Sequence, residues 1–131
     1  MADRIKVICV DDNADLAEML EVLIRHEMDL EHLGTFDSGD RLVPAVEQLK
    51  PDVAIVDLTM AGRSPLIAVK EACERFPKTR SIMYSGRDDQ PTITAAMDAG
   101  AWGFVSKHEH PVVLLDAVRR VARGEIVAPG V

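Results

Sequence analysis

Two β-branched runs that end in aspartate constrain this chain most. Ile5-Lys6-Val7-Ile8-Cys9-Val10 closes on Asp11-Asp12, and Val53-Ala54-Ile55-Val56 closes on Asp57. Neither run can face water, so each predicts a strand buried on both faces, the condition of a parallel sheet. Parallel strands end on one edge, where open α/β sheets bind their ligands. Three carboxylates are therefore expected in one small pocket. Like charges that close repel, and a hard divalent cation with oxygen ligands, most simply Mg²⁺, relieves the repulsion.

The rest of the chain repeats this strand–helix unit to a total of five. Leu16, Met19, Leu20, Leu23 and Ile24 recur at helical spacing after the first strand, with Asp12 or Asn13 as the cap. A weaker second strand spans about Leu30 to Phe36. Ser38-Gly39 leads into a helix carrying Leu42, Val43, Val46 and Leu49, with Pro44 near its first turn and Pro51 at its end. Ser64-Pro65 reads as a cap and first-turn proline before Leu66, Val69, Cys73 and Phe76. A fourth strand, Ser81 to Tyr84, precedes a short helix that opens at Gln90-Pro91, carries Ile93, Ala96 and Met97, and stops before Gly100. A fifth strand runs from Trp102 to Ser106. Pro111 starts the last helix, with Leu114, Leu115, Val118 and Val121 inward, Arg119, Arg120 and Arg123 near its negative end, and Gly124 as its stop. Such alternation predicts right-handed βαβ units: a doubly wound α/β fold, five parallel strands with five helices on the two faces.

Composition narrows the function. The chain has 131 residues, enough for one domain, with its core expected at about 4–124 and a short tail over 125–131. It is 47% hydrophobic but only 4% aromatic, so the core is aliphatic, and the six methionines, mostly on inward faces, read as core filler. A net charge of −7 argues against nucleic acid or an anionic membrane as a direct partner. Cys9 and Cys73 are far apart and unpatterned, as expected of reduced thiols in a cytoplasmic protein. No apolar run approaches the ~18 residues of a membrane span, and the N-terminus carries no signal-peptide pattern.

Two more residues belong to the pocket. The fourth strand runs into Ser85-Gly86 and the fifth into Lys107, on the same carboxyl edge as the aspartates. A hydroxyl, an ammonium, free backbone N–H groups and a metal together suit a phosphoryl group. Asp57 would be its nucleophile. His108-x-His110 has a metal-like spacing but no third ligand, and reads as a solvated loop.

Val10-Asp11-Asp12, Ile55-Val56-Asp57, Tyr84-Ser85-Gly86, and Ala99-Gly100-Ala101 followed by Phe104 and Lys107 occur in order at domain-scale spacing. In this the chain resembles the receiver domain of two-component response regulators, over nearly all of its length. The resemblance implies a flavodoxin-like strand order, 2-1-3-4-5. It implies that Asp57 accepts phosphate from the histidine of a sensor kinase or phosphotransfer protein. Asp12 would bind Mg²⁺ directly, Asp11 mostly through water, and Thr59 through its backbone carbonyl. Ser85 and Lys107 would hold the phosphoryl group, with Thr59 and Arg87 beside the path of hydrolytic water. Phe104 would be the aromatic switch under an output surface made by helix four, strand five and helix five. Trp102, expected on the same side of strand five as Phe104 and Ser106, would either merely pack under helix four or belong to that surface, which would bind a partner or a second copy of the chain. Gly124-Glu125-Ile126-Val127 after an arginine-rich helix resembles receivers that precede a LuxR-type helix-turn-helix domain. The chain is then a stand-alone regulator or a receiver cut from a longer protein.

Two departures from the family pattern stand out. The run after the phospho-acceptor is Asp57-Leu58-Thr59-Met60-Ala61-Gly62, without the usual Met-Pro, and Lys107 is followed by His108 rather than proline. A non-proline cis bond costs ~2.5–4 kcal/mol, so a trans Lys107–His108 bond is expected. A Mg²⁺-dependent aspartyl-phosphate hydrolase is the competing reading. Such an enzyme needs a second carboxylate two residues beyond its nucleophile, where this chain has Thr59, and a cap that these short connections cannot form. A receiver without phosphorylation, kept as a binding scaffold, conflicts with the intact acidic and lysine positions. The signalling reading, with no external substrate, is therefore preferred.

Overall fold

A computed structural model describes residues 3–60 and 62–129. Five parallel strands stand in the order β2-β1-β3-β4-β5. They are β1 (Ile5–Val10), β2 (Leu30–Phe36), β3 (Val53–Asp57), β4 (Arg80–Ser85) and β5 (Gly103–Ser106). Helices α1 (Ala14–Arg25), α2 (Leu42–Leu49), α3 (Pro65–Arg75), α4 (Gln90–Asp98) and α5 (Pro111–Ala122) fill the connections. The order reverses at β1, so the carboxyl ends of β1 and β3 meet at the crevice.

Period-two alternation divides the core between the two faces. Val7, Cys9, Val53, Ile55, Ile82, Tyr84 and Val105 face α1 and α5. Ile8, Val10, Ala54, Val56, Met83 and Phe104 face α2, α3 and α4. From Val7 to Val10 and along all of β3 neither face sees water, which is why those stretches carry no polar alternation; β1 begins at the surface, with Lys6 exposed. Burial pushes the Cys9 thiol up to about 12, helped by Asp11, so it stays protonated and inert.

Of the two cap candidates for α1, Asn13 serves; its side chain accepts from the Leu16 N–H at 3.1 Å. Several other local expectations need correction. Ser64 precedes Pro65 but makes no side-chain cap bond. A 3-10 turn over Gly39–Arg41 comes before α2, which ends on Lys50 in the left-handed region at φ 51°. Met83 is in the core, but Met19 lies on the surface and Met28 is 94% exposed; Met1 is outside the described residues. Arg119 leaves the helix end and pairs with Glu27 at 2.6 Å and Asp29 at 2.7 Å, while Arg120 and Arg123 pair with Glu125.

The largest difference concerns Trp102. Strand β5 begins at Gly103, so Trp102 stands in a bend outside the strand's alternation. Its ring packs against the α1–α5 core, opposite the face that buries Phe104. Gly103 permits the close approach: a Cβ there would sit 3.1 Å from Ile82 and 3.3 Å from Val121. The Arg80 guanidinium lies 4.6 Å from the Trp102 ring centroid and donates to the carbonyls of Val121 and Ala122 at the end of α5. The tail then returns along β5. Val127 N–H donates to Trp102 O at 3.0 Å, and Phe104 N–H donates to Val127 O at 2.8 Å. Gly130 and Val131 of the expected tail lie outside the described residues.

Candidate functional site

Asp11, Asp57, Ser85 and Lys107 converge because each is the last residue of its strand or the one just after it, on the same edge of the sheet. Asp11 and Asp57 are buried, while Asp12 is exposed at the lip. Each of these three aspartates offers a carboxylate oxygen within 4.8 Å of the others. Three carboxylate oxygens at that separation suit a hard divalent ion, which takes oxygen ligands and keeps some of its waters. The expected acidic trio is therefore a real cluster.

Lys107 partly neutralises it. Its ammonium stands 3.1 Å from Asp11 Oδ2 and 3.3 Å from Asp57 Oδ1, and 5.7 Å from the Tyr84 ring centroid. No cis peptide bond occurs among the described residues, so Lys107–His108 is trans, as expected. Asp57 Oδ1 also accepts from Thr59 N–H at 3.1 Å and from the Thr59 hydroxyl at 3.3 Å. Asp11 Oδ1 accepts from Asn13 N–H at 2.8 Å. All of these contacts at Asp57 fall on Oδ1.

The electrostatics follow from burial. Burial raises the Asp57 carboxyl above its ordinary value; the Thr59 N–H opposes this, Asp11 adds to it, and Lys107 pulls it down. For Lys107, burial works against the ammonium, but the bond to Asp11 and the charges of both aspartates win and raise it. The pair thus moves in one direction. Desolvation dominates at the carboxylate, which sits deeper, and opposite charge dominates at the partly exposed ammonium.

Around this core, two clefts open. One of about 440 Å³ is bordered by Asp11, Asp12, Glu18 and Arg41. Another of about 320 Å³ is bordered by Thr59, Leu66, Ser85 and Arg87. Ser85 is buried, and its Oγ accepts from Arg87 N–H at 3.0 Å. The Arg87 side chain reaches outward, 75% exposed and 3.5 Å from Asp89. Phe104 is turned inward, 1% exposed. His108 and His110 do not form a metal pair: His108 Nε2 bonds Gly86 O, and His110 Nδ1 accepts the Val112 N–H that opens α5. Sequence reasoning missed Ser106 and Asp88, whose side chains bond at 2.8 Å beside the site. A serine before the key lysine and an aspartate in a polar loop carry no signal of meeting.

The response regulator receiver domain model matches residues 7–119. The chain belongs to that family. A relative from Hyphomicrobium methylovorum, described as a probable transcriptional regulatory protein, SgaR, is 36% identical over 98% of this chain and 61% of its own length. The oxygen regulatory protein NreC of Staphylococcus haemolyticus is 33% identical over 92% of this chain and 56% of its own. This receiver thus spans about three fifths of the length of the curated relatives it matches. Among solved structures, the response regulator domain of Thermotoga maritima CheB aligns with a TM-score of 0.84 at 26% identity, covering 92% of this chain and 97% of that one. A LuxR-family response regulator from Aurantimonas sp. aligns at 0.90, with 20% identity and 95% and 89% coverage, a likeness of fold.

Proposed function

We propose that the chain is a single receiver domain, core about 4–124, that takes a phosphoryl group onto Asp57 from a phosphohistidine of a sensor kinase or phosphotransfer protein. The observation that carries this is the buried Asp57 carboxylate, held through Oδ1 by Lys107 and Thr59. Oδ2 is then the oxygen that attacks phosphorus. The new Oδ2–P bond forms as the P–N bond of the donor breaks, and the imidazole leaves with the electron pair. No proton need leave Asp57. Magnesium, held by Asp11, Asp12, Asp57 and the Thr59 carbonyl, would supply charge neutralisation at the phosphoryl oxygens. Lys107 keeps its proton and offers positive charge to the same group, and the Ser85 hydroxyl donates to it.

Thr59 and Arg87 are proposed to set the lifetime of the phosphorylated form, because neither orients water as a carboxylate or amide does. The output is proposed to be the α4–β5–α5 surface, with Phe104 beneath it and Trp102 at its lower end, read by a partner or by a second copy of the chain. The acidic net charge favours a domain without direct nucleic-acid or membrane contact, and the free Cys9 and Cys73 suit the cytoplasm. No helix among the described residues is long and apolar enough to cross a membrane.

Incubation with acetyl phosphate and Mg²⁺ tests the reading. The native chain is expected to gain one phosphoryl mass increment, and Asp57→Ala none. Stoichiometric labelling of Asp57→Ala would remove Asp57 from its role.

A further inference from the structure

Three consecutive residues at the end of β5 grip the loop that follows β4. Lys107 N–H donates to Ser85 O at 2.8 Å. The Ser106 hydroxyl donates to Asp88 Oδ2 at 2.8 Å and accepts the His108 N–H at 3.1 Å. The His108 ring stands 3.0 Å from Gly86 O through Nε2, and a carbonyl only accepts, so Nε2 carries the proton. Residues 86–89 are otherwise exposed, and a Cβ on Gly86 would meet nothing within 4 Å. Apart from Asp89, whose side chain caps α4 through Thr92, the segment is therefore held mainly by these bonds. Yet it carries Ser85 at its start, and Lys107 sits between the two residues that clasp it.

We propose that Ser106 and His108 are positioning residues for phosphoryl transfer: through Asp88 and Gly86 they hold the Ser85 hydroxyl in register with the Lys107 ammonium. Both groups must converge on one phosphoryl group, and a shift of about 1 Å in such a pair costs up to ~100-fold in rate. The clasp occupies the place where the family pattern has proline after the lysine. A proline at 108 would lack both the ring that reaches Gly86 and the N–H that reaches Ser106. The role presupposes transfer to Asp57, as argued above.

The test is the initial rate of labelling by acetyl phosphate, read by intact mass, with folding checked by melting. His108→Leu is expected to lower the rate about five-fold, and Ser106→Ala to do so by a similar factor, the scale of one modest hydrogen bond. His108→Gln places an amide nitrogen at the same reach as Nε2 and should restore most of the loss. In a Ser85→Ala chain, His108→Leu should change the residual rate by less than about two-fold, because the clasp then has no hydroxyl to place. A merely structural histidine would show neither the rescue nor the non-additivity. Native labelling rates in both His108→Leu and Ser106→Ala, with labelling still lost in Asp57→Ala, would overturn the positioning role alone. An undiminished effect in the Ser85→Ala chain would overturn it as well. Labelling that persists in Asp57→Ala would overturn the proposed function itself.

Discussion

Lys107 Nζ stands 3.3 Å from Asp57 Oδ1 across a trans peptide to His108. The ammonium is placed by the Lys107–Ser85 backbone bond and by its two carboxylate partners, not by a proline.

Removing that ammonium leaves Asp11 and Asp57 buried without their cation. Lys107→Ala is expected to lower stability by about 1–3 kcal/mol at neutral pH, the cost of unpairing buried charged groups. Thermal melts with increasing Mg²⁺ should recover part of the loss. A variant as stable as the native chain without divalent cations would contradict the pairing.

Stability should depend on pH through Asp57. Its carboxyl lies above the ordinary 3.8 in the folded chain, chiefly from burial, so the folded state holds that proton more tightly than the unfolded state does. The ionised carboxylate therefore opposes folding as pH rises from about 4 through the raised value. Asp57→Asn should melt above the native chain at pH 7 without divalent cations, and the gap should close as the pH is taken down to 4. A gap that widens on acidification would reverse the sign.

Millimolar Mg²⁺ should raise the native melting temperature by linkage, since the ion would bind the assembled trio and not the unfolded chain. Asp12→Ala should respond much less. An equal response from the two proteins would speak against the site.

The phosphorylated form should last minutes or longer. Thr59 already spends its N–H and hydroxyl on Asp57, and Arg87 points outward. Thr59→Asn with Arg87→Glu should shorten the lifetime, measured by mass after removal of the donor. Decay within seconds in the native chain, or no acceleration in the double variant, would defeat this account.

Trp102→Ala should cost about 2 kcal/mol, because the half-buried ring packs on the α1–α5 core and under Arg80. Sedimentation of native and variant chains, each with and without beryllofluoride, then asks whether the ring also serves association. Equal association in all four samples would exclude Trp102 from the output surface.

The strand–helix alternation, the helix faces and the aspartate cluster were legible in the residues, because β3 and most of β1 are buried on both sides and end in charges that have no core use; the strand order came from the family resemblance alone. Trp102 was misread for a definite reason. Alternation assigns a side only to residues inside a strand, and the close approach at Gly103 starts β5 one residue later. The exposed Met28 shows the same limit, since its residue type says nothing about where a helix stops. Ser106 and Asp88 were invisible because their meeting depends on two loops brought side by side by the sheet.

The return of Val127 along β5 has a consequence for how the molecule behaves in a crowd. A bare outer strand is a template onto which another molecule's strand adds, the first step of aggregation. Here the chain's own Val127 consumes the Phe104 N–H of that strand and the Trp102 carbonyl just before it. At the opposite margin, the register slips where Val7 and Ile8 pair with His32 and Gly34, an irregularity that spoils a flat template. Both rims of the sheet are blunted from within, so a chain whose Val127 has been unzipped should precipitate at concentrations at which the native chain stays dispersed.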